Sequence, residues 1–187
     1  MNEDINKAVQ ILQKGGIILY PADTIWGLGC DAVNENAVAR LFEIKKRQKE
    51  KSMLILLNNP SLIYSYVEKI PDTALDIIEI SQKPITIIYP GAKNLAPGLI
   101  AEDGSIGIRI TQEEFTYKLL QKFKKPLVST SANIAGEKTP LNFNEISDEI
   151  KEKVDYIVKY RQNEKTNGVS SSIIKLGLNN EVKVIRE

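Results

Sequence analysis

No histidine occurs anywhere in the chain, and that absence removes more chemistry than any other feature. A Ser-His-Asp triad, a Cys-His pair and every imidazole-ligated metal site are ruled out. Any reaction run here must use lysine, arginine, carboxylates, hydroxyls and backbone amides. Cysteine is nearly as scarce. Cys30 stands alone, so neither an intrachain disulfide nor a thiolate zinc cluster can form. Aromatic residues make up only 6%, which counts against a strand platform built to stack RNA bases. No stretch reaches the ~18 consecutive apolar residues of a membrane span. The opening "MNEDINKAVQILQKGG" lacks the basic region and apolar run of a signal peptide, so a cytoplasmic protein is expected. The net charge of +1 gives no whole-chain argument for nucleic acid or membrane.

What is present is the composition of an ordinary globular chain, 42% hydrophobic and 26% charged over 187 residues. One domain spanning 1–187 is expected, large enough to bury roughly 70% of its unfolded surface. Ile5, Val9 and Leu12 recur at helical spacing and Gly15-Gly16 stops that helix. "IILY" (17–20) reads as a buried strand closed by Pro21. Asn34 is the expected N-cap of a helix over 35–46 with Val38, Leu41 and Phe42 on its apolar face. Strands are expected at 53–57, 85–89, 105–110 and 126–130. Helices are expected at 72–81 (Leu75 and Ile78 inward, with Ile77 as a third candidate), 112–123 and 144–151. "DYIVKY", "SSIIKL" and "EVKVIR" read as three closing strands, the last two paired across "GLNN". Strands interleaved with helices predict an α/β fold with a twisted, mixed, open sheet and flanking helices.

Two strand ends share a layout. "IILYPADT" and "LVSTSAN" each pass from a buried apolar strand into short polar residues. Ligands of open α/β sheets sit outside the carboxyl ends of strands, so Thr24, Ser129, Ser131 and Asn133 are candidates to line one crevice. The same residue types also build plain turns and caps. No Walker-type phosphate loop is present. "GLGCDA" fits Gly-x-Gly-x-x-Ala, but "PADTIW" separates it from its strand, so Gly27 and Gly29 read instead as tight-turn glycines.

The segment "IKKRQKEKS" (44–52) carries five cations and one carboxylate. Lys45 continues the stripe of Val38 and Leu41, so its ammonium either snorkels to water or reaches under the sheet into the crevice. In "SIGIRI" the isoleucines share one face and Arg109 takes the other. If that face is covered, the cation needs an anion. Lys45, Arg47 and Arg109 near the "STSAN" loop suit a polyphosphate, offsetting charge without a proton-transfer group. Asp23 and Asp31 read as turn formers rather than metal ligands, and no metal site is expected.

"YPADTIWGLGCDA", the Lys-x-Arg at Lys45 and Arg47, "SIGIRI" and "KPLVSTSANIAGEKTP" resemble, in order, the YrdC-like L-threonylcarbamoyladenylate synthases. The likeness runs over residues 8 to 176. It includes the late "GVSSSII", with Ser172 in place of threonine. Gln48 replaces a common proline, and "SQKPIT" replaces a common Trp-Pro-Gly-Pro turn. The resemblance implies a positively charged cavity and a nucleotidyl transfer in which L-threonine, bicarbonate (or CO2) and ATP give threonylcarbamoyl-AMP and pyrophosphate. That product feeds the threonylcarbamoyladenosine modification of tRNA through downstream transfer machinery. It further implies Mg²⁺ accompanying ATP as substrate. Lys45 and Arg47 then hold the phosphates, and Arg109 the carboxylate or carbamate. Ser129, Ser131 and Asn133 take the adenylate side, Ser171 adds a contact, and Thr24 faces the amino acid. Two alternatives are a same-fold paralogue with another nucleotide-dependent activity and a non-enzymatic RNA-binding module.

Overall fold

The computed structural model describes residues 1–46, 53–164, 170–179 and 181–187. Its elements run α1 (Asn2–Gln13), β1 (Ile18–Pro21), β2 (Trp26–Gly29), α2 (Glu35–Lys45), β3 (Leu54–Leu57), α3 (Thr73–Ile80), β4 (Ile85–Tyr89), β5 (Ile106–Ile110), α4 (Glu114–Phe123), β6 (Leu127–Ser131), α5 (Asp148–Lys153), β7 (Tyr156–Ile157), β8 (Ser172–Leu176) and β9 (Val182–Arg186). Among the described residues the strands form one open sheet in the order β7-β1-β2-β6-β3-β5-β4-β8-β9. The pairs β1/β7, β3/β5 and β4/β8 are parallel and the others antiparallel, giving the mixed α/β sheet with flanking helices that the pattern predicts. No described helix is long and apolar enough to cross a membrane.

The helices divide between the two faces because their apolar stripes do. Ile5, Ala8, Val9 and Leu12 of α1 and Phe115, Leu119, Leu120 and Phe123 of α4 pack with Ile18, Tyr20, Leu56 and Leu127. Across the sheet, Val38, Leu41 and Phe42 of α2 and Ala74 of α3 join Leu28, Ile55, Ile87 and Ile108 in the larger core. Asn34 caps α2 as expected, its Oδ1 accepting from the Ala37 N–H at 3.0 Å. In α3 the fully buried residue is Ala74, while Leu75 is 37% exposed. Ile78, expected inward, and Ile77 pack against the core beside Ala74, so only Leu75 departs from the expected inward face.

The largest departure from expectation is β2. Gly27 and Gly29 do not make a turn; they lie in a strand flanked by β1 and β6. They are glycines because neighbours occupy the space of a side chain. A Cβ on Gly29 would stand 2.8 Å from the Val128 carbonyl and 2.9 Å from the Tyr20 ring. "DYIVKY" contributes only two strand residues, Tyr156 and Ile157. Gly29→Ala is expected to destabilise the fold by about 1–3 kcal/mol, as overpacking does. The shift in denaturant midpoint at unchanged slope measures it.

Candidate functional site

Helices α1 and α4 cover only part of their face of the sheet. Over the rest, Gly27, Ser131, Ser129, Leu54, Gly107, Ile88, Thr86, Ile173 and Arg186 are linked by strand register and point the same way. They line a cavity of about 270 Å³, closed by Ala22, Thr24 and Ile25 on one side and Ser170, Ser171 and Thr139 on others. Small residues at the centre of the floor leave backbone and hydroxyls within reach of a ligand.

Arg109 is the best-held group in the cavity. It is 5% exposed and each arm of its guanidinium is engaged. Nε donates to Thr86 Oγ1 at 3.1 Å, Nη2 to Ser171 Oγ at 2.9 Å and Nη1 to Asp23 Oδ1 at 2.8 Å, with Thr24 Oγ1 at 3.4 Å. The condition set by the sequence, that a covered Arg109 needs an anion, is met by Asp23. Asp23 therefore does more than form a turn. A second cation arrives from the last strand. A bulge at Ile173/Ile174 shifts the register of β9 and puts Arg186 opposite Ile173. Bulges re-aim side chains in this way. Arg186 donates from Nε and Nη2 to the Ser171 carbonyl at 3.0 and 2.8 Å. Partial burial, and secondarily the charge of Arg109, lower its pKa from the usual value.

The "STSAN" segment divides between the cavity wall and its support. Ser129 and Ser131 line the cavity, and Tyr20 donates its hydroxyl to Ser129 Oγ at 2.8 Å. Asn133 lies behind them. Its Nδ2 donates to the carbonyls of Ile134 and Glu137, and its Oδ1 accepts from Ser131 Oγ at 2.5 Å. Lys45 takes the inward course of its two options. It is 1% exposed, and Nζ donates to the Ser131 carbonyl at 2.6 Å, with Ser131 Oγ and Asn133 Oδ1 at 3.4 Å. It supports the Ser131 loop from the end of α2 and is not itself on the cavity wall. Arg47, Gln48 and the rest of 47–52 lie outside the described residues.

Thr24, Arg109, Ser129, Ser131 and Ser171 therefore share one cavity, with Lys45 and Asn133 directly behind Ser131. The sequence reading missed Arg186, Thr86 and Thr139. Thr86 is the one short polar side chain in the run "ITIIY", and that is a usable signal. Arg186 became a wall residue only through a bulge that alternation does not announce. Asp31 stays a structural group, accepting from the Val33 N–H and pairing with Lys125 at 2.6 Å.

The Sua5/YciO/YrdC family, described as "Telomere recombination", is matched over residues 10–187. The chain belongs to the Sua5/YciO/YrdC family. It is 39% identical over 157 residues to threonylcarbamoyl-AMP synthase of Pseudoalteromonas translucida, covering 82% of this chain and 84% of that one. In three dimensions it is similar to E. coli YciO, with TM-score 0.86 and 26% identity over 100% of this chain and 90% of the other. It is also similar to P. abyssi Sua5 complexed with L-threonine, with TM-score 0.85, 25% identity and 92% of this chain covered. The chain spans about half the length of that Sua5, 50%.

Cys30 sits beside the site motif but belongs to the core. It is fully buried, and burial followed by the Asp31 charge pushes its thiol well above the usual range. Only the thiolate reacts. Native protein at pH 8 is expected to leave a disulfide reagent such as DTNB unreduced, with one thiol released on denaturation.

Proposed function

We propose that this chain makes threonylcarbamoyl-AMP and pyrophosphate from L-threonine, bicarbonate or CO2, and ATP. The observation that carries the reading is the single cavity shared by Arg109, Thr24, Ser129, Ser131 and Ser171 in a chain of this family. The threonine ammonium gives up two of its three protons to solvent as its nitrogen bonds to CO2, supplied directly or by loss of water from bicarbonate, leaving a carbamate. A carbamate oxygen then attacks the α-phosphorus of ATP, and the bond to the bridging oxygen breaks with its electron pair leaving on pyrophosphate. Neither step needs a histidine. The chain's contribution is to hold the reactants in line and to offset charge at the transferring group.

In this reading Arg109 faces the threonine carboxylate or the carbamate, with Thr24 beside it. Ser129, Ser131 and Ser171 contact the adenylate, Arg47 acts at the phosphates, and Lys45 adds its charge toward them from behind Ser131. Arg186 is added as a second cation for the anionic substrate, and the positive character of the cavity is part of the same reading. Mg²⁺ enters with ATP. The wall offers hydroxyls and guanidinium groups, while the adjacent carboxylate of Asp23 is tied to Arg109. That donor set suits a cation carried by phosphates better than one held in a protein cage. A cytoplasmic location, tRNA as a contact and transfer machinery receiving the adenylate belong to the same proposal.

The test is pyrophosphate release from ATP and bicarbonate with and without L-threonine. Release that requires threonine supports the assignment. Release without it points to a paralogue with another nucleotide-dependent activity. No release, with salt-sensitive RNA binding instead, points to a binding module. Lys45→Met keeps the stem in the core and removes the ammonium. It is expected to lower kcat about 100-fold or more, the scale of a lost electrostatic contact, while circular dichroism stays native. Near-normal turnover would take Lys45 out of the chemistry.

A further inference from the structure

Asp23 is 2.8 Å from Arg109, and the two side chains are 10% and 6% exposed. It does not line the large cavity. It lines a second cavity of about 90 Å³ on the other side, together with Ile78, Lys83, Gln112 and Tyr89. Arg109 thus separates Asp23 from the place where a ligand would sit. Thr86 and Ser171, which hold the other two arms of the guanidinium, are neutral and share a hydrogen bond of 3.1 Å with each other. Among the described residues Asp23 is the one carboxylate paired with Arg109. The neighbouring charge on the cavity side is the guanidinium of Arg186, which repels Arg109.

We infer that Asp23 is a positioning residue for amino-acid recognition: from behind, it fixes the Arg109 guanidinium so that its outer edge meets the carboxylate or carbamate of the amino-acid substrate. This rests on the function proposed above and adds a residue that never touches the substrate. The physical case has two parts. A buried cation without a partner swings or drives water into its site. A guanidinium gains specificity for a carboxylate only when its plane is set in advance. The three neutral hydroxyls near Arg109 each accept from one of its five N–H donors but do not counter the push of Arg186. The carboxylate of Asp23 pulls Arg109 toward the β1–β2 turn and away from the last strand.

The experiment measures KM for L-threonine, KM for ATP and kcat in Asp23→Asn and Asp23→Ala, with pyrophosphate release as readout. Asp23→Asn keeps the shape and a carbonyl acceptor but removes the charge. Asp23→Ala removes both. Asp23→Ala is expected to raise KM for threonine about 10- to 100-fold, the cost of a misplaced recognition group. KM for ATP is expected to stay within about threefold, since only one substrate loses its contact. Asp23→Asn is expected to fall between wild type and Asp23→Ala. A loss of general structure would move both KM values and kcat together, and that result overturns the inference. So does a threonine KM unchanged in a folded Asp23→Asn. If Asp23→Ala does not fold, the isosteric Asp23→Asn decides alone. Wild-type release that ignores threonine defeats the functional reading itself and takes this inference with it.

Discussion

A guanidinium buried against the open face of a sheet is the constraint around which this site is arranged. Moving an arginine out of water costs several kcal/mol unless charge and hydrogen bonds are restored. Here that requirement reaches across the chain. It brings a carboxylate from the turn after β1, a hydroxyl from within β4 and another from the residue before β8 to one group on β5. Each of these residues would be an oddity in its own element. Thr86 interrupts an apolar strand, Asp23 is a nearly buried carboxylate in a turn, and Ser171 is 2% exposed. Together they account for one another. The cation cannot be removed singly without leaving Asp23 buried and unpaired, and breaking such a pair from either side costs about 3–5 kcal/mol.

The second requirement is space. Glycines and serines among the floor residues leave room for a ligand beside Arg109, and the Gly27 end of that floor depends on β2. The strand inserts between β1 and β6 so closely that Gly29 has no room for a methyl group. The same crowding brings the Tyr20 ring under Ser129, where its hydroxyl orients the serine. Lys45 completes the support from α2 by holding the Ser131 carbonyl. The loop is fixed twice, because the Ala135 N–H also donates to the Lys45 carbonyl. Cavity wall and helix end are therefore tied together by two hydrogen bonds.

Much of this was legible from residue order, and what was not had a physical cause. The helical spacing of Ile5, Val9 and Leu12, the Asn34 cap and the apolar strands follow from local pattern, and the structure has them. The need of Arg109 for an anion also followed, from the alternation of "SIGIRI". The identity of that anion did not, because Asp23 is 86 positions away and short Asp-rich turns look alike. β2 was hidden by its own fitness for a crowded position: two glycines suggest a turn when their cause is a neighbour's carbonyl. Arg186 was hidden by a bulge. In each case a tertiary contact decided the outcome, and nothing within a few residues encoded it.

The proposed reaction has no step that requires histidine. Carbamate formation sheds protons that solvent or bicarbonate can accept, and the departing pyrophosphate is already a stable anion. The barrier then lies in assembling several anionic groups and steadying the phosphoryl group between them, a task for fixed cations and oriented hydroxyls. In the proposed reading Arg109 and Arg186 are such cations on the wall, Lys45 acts from behind Ser131, and Arg109 is oriented by the carboxylate of Asp23. A titratable imidazole on this wall would make the charge balance vary near neutral pH. Guanidinium and ammonium groups keep it constant, and a site that works by charge placement gains from that constancy.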